Sequence, residues 1–175
     1  MLVFRHMQHE MEHIFFEAYE THADAIFRHC MLRVSDRELA KDLMQEAFTH
    51  TWEYMQNGNN PKNLRAFIYR VASNLVIDHY RKKKSYSLDE MSEKTGFDPS
   101  IDMTENIVNG IDAKRALELL PQLPDQYRSV IVMRYVDDLS PGEIATITDE
   151  TENTVSVRIH RGVKKLRELI EKSST

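Results

Sequence analysis

Apolar residues recur at helical spacing through both halves of the chain, and the pattern lapses between them. Ile14, Phe15, Ala18, Tyr19 and His22 set a mostly apolar stripe on a first helix, continued by Ala25, Ile26 and Cys30. Ser35 and Glu38 have the spacing of a capping box, in which each side chain bonds the other residue's free amide. A second helix follows with Leu39, Leu43, Met44, Ala47, Phe48 and Trp52 inward, and Asp36, Arg37, Lys41, Asp42, Gln45 and Glu46 on the opposite face. Asn57-Gly-Asn-Asn60 predicts a turn. Pro61 then suits the first position of a third helix, where a missing N–H costs nothing. That helix turns Leu64, Phe67, Ile68, Val71, Ala72, Leu75 and Val76 inward and presents Arg65, Arg70, Asn74, Asp78 and Arg81 elsewhere, ending in Lys82, Lys83 and Lys84.

The second half has the same character. Ala113 to Leu120 predicts a short helix broken by Pro121 and Pro124, and Gln126 to Val136 another, with Val130, Ile131, Met133 and Tyr135 apolar. Ser140-Pro-Gly-Glu143 combines an N-cap, a first-turn Pro and a capping-box Glu, followed by Ile144, Ala145 and Ile147. After a turn at Thr148–Glu150, Thr151 caps a long final helix with Val155, Ile159, Val163, Leu166 and Ile170 inward. Arg158, His160, Arg161, Lys164, Lys165 and Arg167 cover much of the rest. A short capped helix, a polar turn and a capped basic helix make a helix-turn-helix, a motif that sets its second helix into a DNA major groove. Asn153, Thr154, Ser156 and Val157 would then approach base edges, and Arg158 and Arg161 guanine edges or phosphates, because a guanidinium is a planar fork of donors. A basic helix taken by itself is more often a solvated surface.

Residues 85–112 carry no sustained period and are rich in Ser, Thr, Asp and Glu, with Gly96, Asp98-Pro99 and Gly110. They suggest a linker, either a plain spacer or one with a role of its own. The expected fold is therefore all-α: two small helical domains, residues 1–84 and 113–175, joined by a flexible acidic linker, the second a helix-turn-helix domain.

Composition sharpens this outline. At 175 residues the chain allows one domain or two small ones, and five Gly and five Pro are few for a sheet-rich fold. The net charge of −5 is not evenly spread. Residues 1–84 carry a net +1, residues 85–112 a net −6, and residues 113–175 none. Between Lys62 and Lys84 stand seven bases and one acid, the local field that a phosphate backbone would meet. Cys30 is the sole cysteine, which excludes an internal disulfide framework; its apolar neighbours make it a small core residue. No apolar run has membrane-spanning length, so no membrane insertion is expected. The N-terminus lacks a signal-peptide core, so the expected location is the cytoplasm. His6, His9 and His13 have helical spacing but no Cys or acid set to complete a metal site. No nucleophile triad or glycine-rich phosphate loop occurs, so no catalytic residue, metal or cofactor is expected.

The tracts DRELAKDLMQEAFTHTW and NLRAFIYRVASNLVIDHYRKKK resemble the second sigma region of the extracytoplasmic-function (group IV) sigma factors of bacterial RNA polymerase. LPQLPDQYRSVIVMRYVDDLSPGEIA and TVSVRIHRGVKKLREL resemble that family's fourth sigma region. The resemblance covers roughly residues 12–84 and 113–170. It implies a transcription initiation factor that binds core polymerase at the clamp of the largest subunit and the flap of the second-largest. It further implies promoter DNA and an anti-sigma factor as partners, and a linker lying along the RNA path.

Taken by residue, the resemblance implies clamp contacts from Asp36, Glu38, Asp42, Leu43, Gln45, Glu46 and Phe48, though Leu43 and Phe48 would equally serve as core. It implies capture of the −10 element, with unpaired bases held apart, by Asn60, Lys62, Asn63, Arg65, Arg70, Asn74, Asp78, Arg81, Lys82, Lys83 and Lys84. Asp78 has a bland alternative as a helical partner of Asn74 and Arg81. The −35 element would be read by Ser140, Thr151, Asn153, Thr154, Ser156, Val157, Arg158, Arg161 and Lys165. The chain departs from the family pattern at Asp149 (usually Gly), Glu150 (usually apolar), Thr148 (often Leu), Val157 (usually small and polar) and Phe67 (often Trp). Two rival readings stand beside it: a stand-alone helix-turn-helix regulator, and a sigma homologue that binds protein without reading promoters.

Overall fold

A computed structural model describes residues 2–86 and 113–173; the expected linker lies outside them, apart from its first two residues. Every described element is helical. In the first half these are α1 (Leu2–Val34), α2 (Arg37–Gln56) and α3 (Leu64–Tyr86). In the second half, α4 (Ala113–Leu119) leads through a 3-10 turn (Leu120–Gln122) to α5 (Asp125–Ile131), which continues as a π-helical turn (Val132–Val136). α6 (Pro141–Thr148) and α7 (Glu152–Lys172) complete the helix-turn-helix.

Helix starts follow local chemistry, with two corrections to expectation. The cap of α2 is Asp36, whose carboxylate accepts from the Leu39 amide at 3.0 Å; Ser35, the expected cap, instead takes a left-handed backbone at φ 55°. α3 begins at Leu64 rather than at Pro61, because Asn63 Oδ1 accepts from the Ala66 amide at 3.0 Å. At α6 the capping box forms as the sequence predicts. Ser140 Oγ accepts from the Glu143 amide, and the Glu143 carboxylate accepts from the Ser140 amide at 2.8 Å. Thr151 caps α7 through the Thr154 amide.

α1, α2 and α3 enclose Ala18, Ile26, Cys30, Leu43, Phe48, Ile68, Ala72 and Val76. The apolar stripe read on α1 is only partly inward: Ile14 is 45% and Tyr19 38% exposed. In the other half α7 lies across α4 and α5, burying Val155, Ile159 and Leu166. Gly162 permits that closeness, since a Cβ there would stand 2.9 Å from Ile131 Cδ1.

The two halves also pack on each other. α3 packs on α6, and α1 on α5 and the π turn, so one continuous core carries Ile26, Cys30, Ile68 and Ala72 beside Val130, Met133, Leu139, Ile144 and Ile147. Within that seam lies a buried polar cluster. His29 Nδ1 donates to Asp137 Oδ2 at 2.8 Å, and its Nε2 meets the Ser73 hydroxyl at 3.1 Å. Arg65 donates to the Asp137 carbonyl at 2.7 Å, and Arg33 to Asp125 at 3.0 Å. Among the described residues, Arg33 Nε and Nη1, Arg128 Nε and Asp137 Oδ1 are buried with no hydrogen-bonding partner. Each such atom withdrawn from water costs roughly 1–3 kcal/mol, which offsets part of what the seam's hydrogen bonds contribute beside its apolar contacts.

Candidate nucleic-acid interface

α3 presents the first candidate surface. Its apolar face packs into the core, which leaves Arg70, Asn74, Ile77, Asp78, Arg81 and Lys82 exposed on the other side. Asp78 and Arg81 are 3.7 Å apart, an open i,i+3 pair that leaves both side chains largely in solvent. Asn60 and Lys62 are exposed in the loop before the helix, with Asn63 also exposed and serving as its cap. The side chains of Lys83 and Lys84 lie outside the described ones. Arg65 differs from the rest: half-buried, it faces the second half, bonding the Asp137 carbonyl and standing 3.9 Å from Glu143.

α2 divides its predicted site by burial. Asp36, Glu38, Asp42, Gln45 and Glu46 are exposed along one face, whereas Leu43 and Phe48 are 5% and 3% exposed and belong to the core. Phe48 still edges an open groove of about 630 Å³ between α1 and α2, lined also by Phe15, Phe16, Tyr19 and Trp52. Phe16, 68% exposed, is the most open of the large apolar residues described.

The helix-turn-helix gives the third surface. Asn153, Thr154, Ser156, Val157, Arg161 and Lys165 are exposed on the first four turns of α7. Ser140 and Thr151 are exposed too, but their hydroxyls are occupied in capping. Asp149 ends α6 in the left-handed region at φ 58° and ψ 44°, the conformation for which Gly is the usual residue. Glu150 does not fill an apolar position; both its oxygens grip Arg158, one at 2.7 Å from Nη1 and the other against Nη2. Arg158 is thus neutralised by an internal partner, while Arg161 is exposed.

Titration follows these contacts. Hydrogen bonds from the Ser140 amide and hydroxyl hold the Glu143 carboxyl below its ordinary value. Burial pushes the Cys30 thiol up to about 12, which leaves it a poor nucleophile. Burial, with the Asp137 carboxylate nearby, raises Tyr69.

The seam network is what periodicity missed. His29 and Arg33 sit four apart on α1, flanking the apolar Cys30, and Asp137 precedes the helix-turn-helix. Two polar residues one turn apart beside an otherwise apolar stripe were the available signal. Nothing in the sequence named their partners.

Comparison with known proteins agrees with this architecture. Residues 18–86 match the family model of Sigma-70 region 2, and residues 113–166 that of Sigma-70, region 4. The ECF RNA polymerase sigma factor SigW of Bacillus subtilis is 34% identical over 164 residues, 87% of either chain. The ECF sigma factor SigL of Mycobacterium tuberculosis is 27% identical over 150 residues, covering 85% of this chain and 84% of the relative. In fold, the chain is similar to the sigma factor RpoE in complex with the anti-sigma factor NepR from Bartonella quintana. The TM-score is 0.69 at 20% identity, over 90% of this chain and 96% of that one. It is also similar to CnrH in complex with the cytosolic domain of CnrY, with a TM-score of 0.67 at 19% identity, over 92% of this chain and 90% of that one. Both sigma regions matched in order, together with a relative of such identity along nearly the whole length, establish that this chain belongs to the extracytoplasmic-function sigma factors of bacterial RNA polymerase, which are non-catalytic initiation factors.

Proposed function

We propose the following division of labour for this promoter-specificity factor. The exposed edge of α2 (Asp36, Glu38, Asp42, Gln45 and Glu46) docks on the clamp of the polymerase's largest subunit, and the second half engages the flap of the second-largest. α3 and the loop before it, through Asn60, Lys62, Arg70, Asn74, Arg81 and the lysines that follow, hold unpaired bases of the −10 element. A positive groove that tracks the backbone and supplies polar contacts to splayed bases stabilises melted DNA without any bond chemistry. α7 reads the −35 element through Asn153, Thr154, Ser156, Val157 and Arg161, with Lys165 on phosphate. Arg158, engaged by Glu150, acts by orienting the recognition helix, and Leu43 and Phe48 act by anchoring α2 in the core so that its exposed edge faces outward. The factor works in the cytoplasm and is held off polymerase by an anti-sigma factor, the kind of partner named for the solved structure of RpoE that the chain is similar to.

The observation that carries this reading is the pairing of two separate polar, cation-bearing helix faces, on α3 and α7, with the two matched sigma regions. Run-off transcription with core polymerase on a promoter library tests it. Initiation at discrete sites only when this protein is added, with those sites sharing −10 and −35 sequences, is the expected result. No initiation and no core binding would turn the reading toward a stand-alone DNA-binding regulator.

A further inference from the structure

Most side chains in the first half of α7 are explained by what they pack on or cap. Val155 and Ile159 are buried, and Gly162 lies against α5. The Thr151 and Thr154 hydroxyls bond each other at 2.8 Å where the helix begins, and Glu150 holds Arg158. Val157 has no such role. It is 42% exposed, while the other large apolar side chains described on α7 are buried or half-buried. Two residues from Val155 and two from Ile159, it lies on the face opposite the buried stripe. A β-branched residue loses rotamer freedom in a helix, so a valine left in solvent gains neither propensity nor packing there.

Val157 is also the middle of the outward face. Asn153 stands one turn before it and Arg161 one turn after, both exposed. At about 1.5 Å of rise per residue, four residues span roughly 6 Å, close to two base pairs of about 3.4 Å each. The centre of this reading face is therefore apolar. In the major groove the base edges present hydrogen-bond donors and acceptors, and thymine adds an apolar group, its C5 methyl. Set against that methyl, a valine leaves no polar group unpaired. Set against a donor or acceptor, it strips water and returns nothing.

We infer that Val157 is a specificity-determining residue that reads the C5 methyl of a thymine in the −35 element, between the positions met by Asn153 and Arg161. The inference rests on the proposed placement of α7 in the −35 major groove and adds the base chemistry selected at one position. The contact is to the methyl rather than to the pairing edge. A cytosine carrying the same C5 methyl should therefore be preferred there over plain cytosine.

The test uses the full chain bound to core polymerase, with equilibrium binding to a promoter recovered from the run-off library. Each thymine of the −35 element is replaced in turn by uracil, which removes the methyl and keeps the pairing edge. With the wild type, one replacement should weaken binding about fourfold, the worth of one buried methyl-sized group. That thymine should lie between the positions whose specificity is relaxed by Asn153→Ala and by Arg161→Ala. Val157→Ser, at a site where the fold loses no packing, should be indifferent to this replacement yet still discriminate at the other positions. Val157→Ile, which keeps the apolar surface, should keep the methyl preference. At the same position, 5-methylcytosine should bind the wild type about fourfold better than cytosine, and Val157→Ser equally well with either. A methyl preference that survives in Val157→Ser, or a −35 element in which no thymine methyl matters, would overturn the inference while leaving α7 as the −35 reader. Failure of that wider assignment looks different: the library would return no −35 sequence at all, and this inference would fall with it.

Discussion

Asp149 and Glu150, two of the four departures from the family pattern in the helix-turn-helix, have separate physical explanations. Asp149 adopts the left-handed conformation that the turn demands, and a short polar side chain tolerates it where a branched one does not. Asp149→Val should therefore lower the stability of the C-terminal half by about 1–2 kcal/mol, read as a shift in urea midpoint at unchanged slope. Glu150 replaces apolar packing of turn on helix with a two-pronged ion pair to Arg158. Both side chains are one-quarter exposed, so solvent screening keeps the coupling near ~1 kcal/mol, measurable in a Glu150→Ala/Arg158→Ala double-mutant cycle. DNA binding should separate the two arginines. Arg161→Ala should weaken promoter affinity by about 1–3 kcal/mol and relax specificity at one position of the −35 element, while Arg158→Ala should leave affinity and specificity nearly unchanged. An equal loss from Arg158→Ala would return it to the DNA surface.

Caps and close approaches determine how the elements behave. The α6 capping box holds Glu143 below its ordinary 4.5, so its contribution to stability is complete above that value and fades as pH falls through the lower folded value. Glu143→Gln should lower the melting temperature at neutral pH, where the carboxylate's contribution is complete, and flatten the acid limb so that variant and wild type converge well below 4.5. Helix α7 depends on Gly162, whose added Cβ would meet Ile131 inside van der Waals distance. Gly162→Ala gains helix propensity while its Cβ crowds the movable Cδ1 of Ile131, so the two effects should nearly cancel and leave thermal unfolding within about 1 kcal/mol of wild type. Element existence was legible along most of the chain because 3.6-residue periodicity is a local property. Boundaries were less so. Asp36 and Asn63 rather than Ser35 and Pro61 begin α2 and α3, since a cap is chosen by which side chain reaches a free amide once the preceding residues have turned.

For the whole molecule, the shared core predicts cooperativity. With Ile26, Ile68 and Ala72 packed beside Val130, Leu139 and Ile144, the halves should unfold together in one denaturant transition. Asp137→Asn should split it into two, seen by fluorescence of Trp52, which reports the first half alone, against helical circular dichroism, which reports both. Coincident transitions in the variant would mean that the apolar part of the seam suffices to couple the halves.

The sequence by itself determined the helices, most of their inner faces, the helix-turn-helix with both its caps, and the family, because each of these is written in short-range spacing and residue type. The tertiary structure alone decided that Leu43 and Phe48 are core, that Arg158 is held by Glu150, and that His29, Ser73, Arg65 and Asp137 meet in a seam between halves. His29 and Asp137 stand 108 residues apart. Periodicity tells which face of a helix is buried, but not what buries it. A pairing across that distance depends on how two separately formed surfaces fit in shape and charge, which no local pattern encodes.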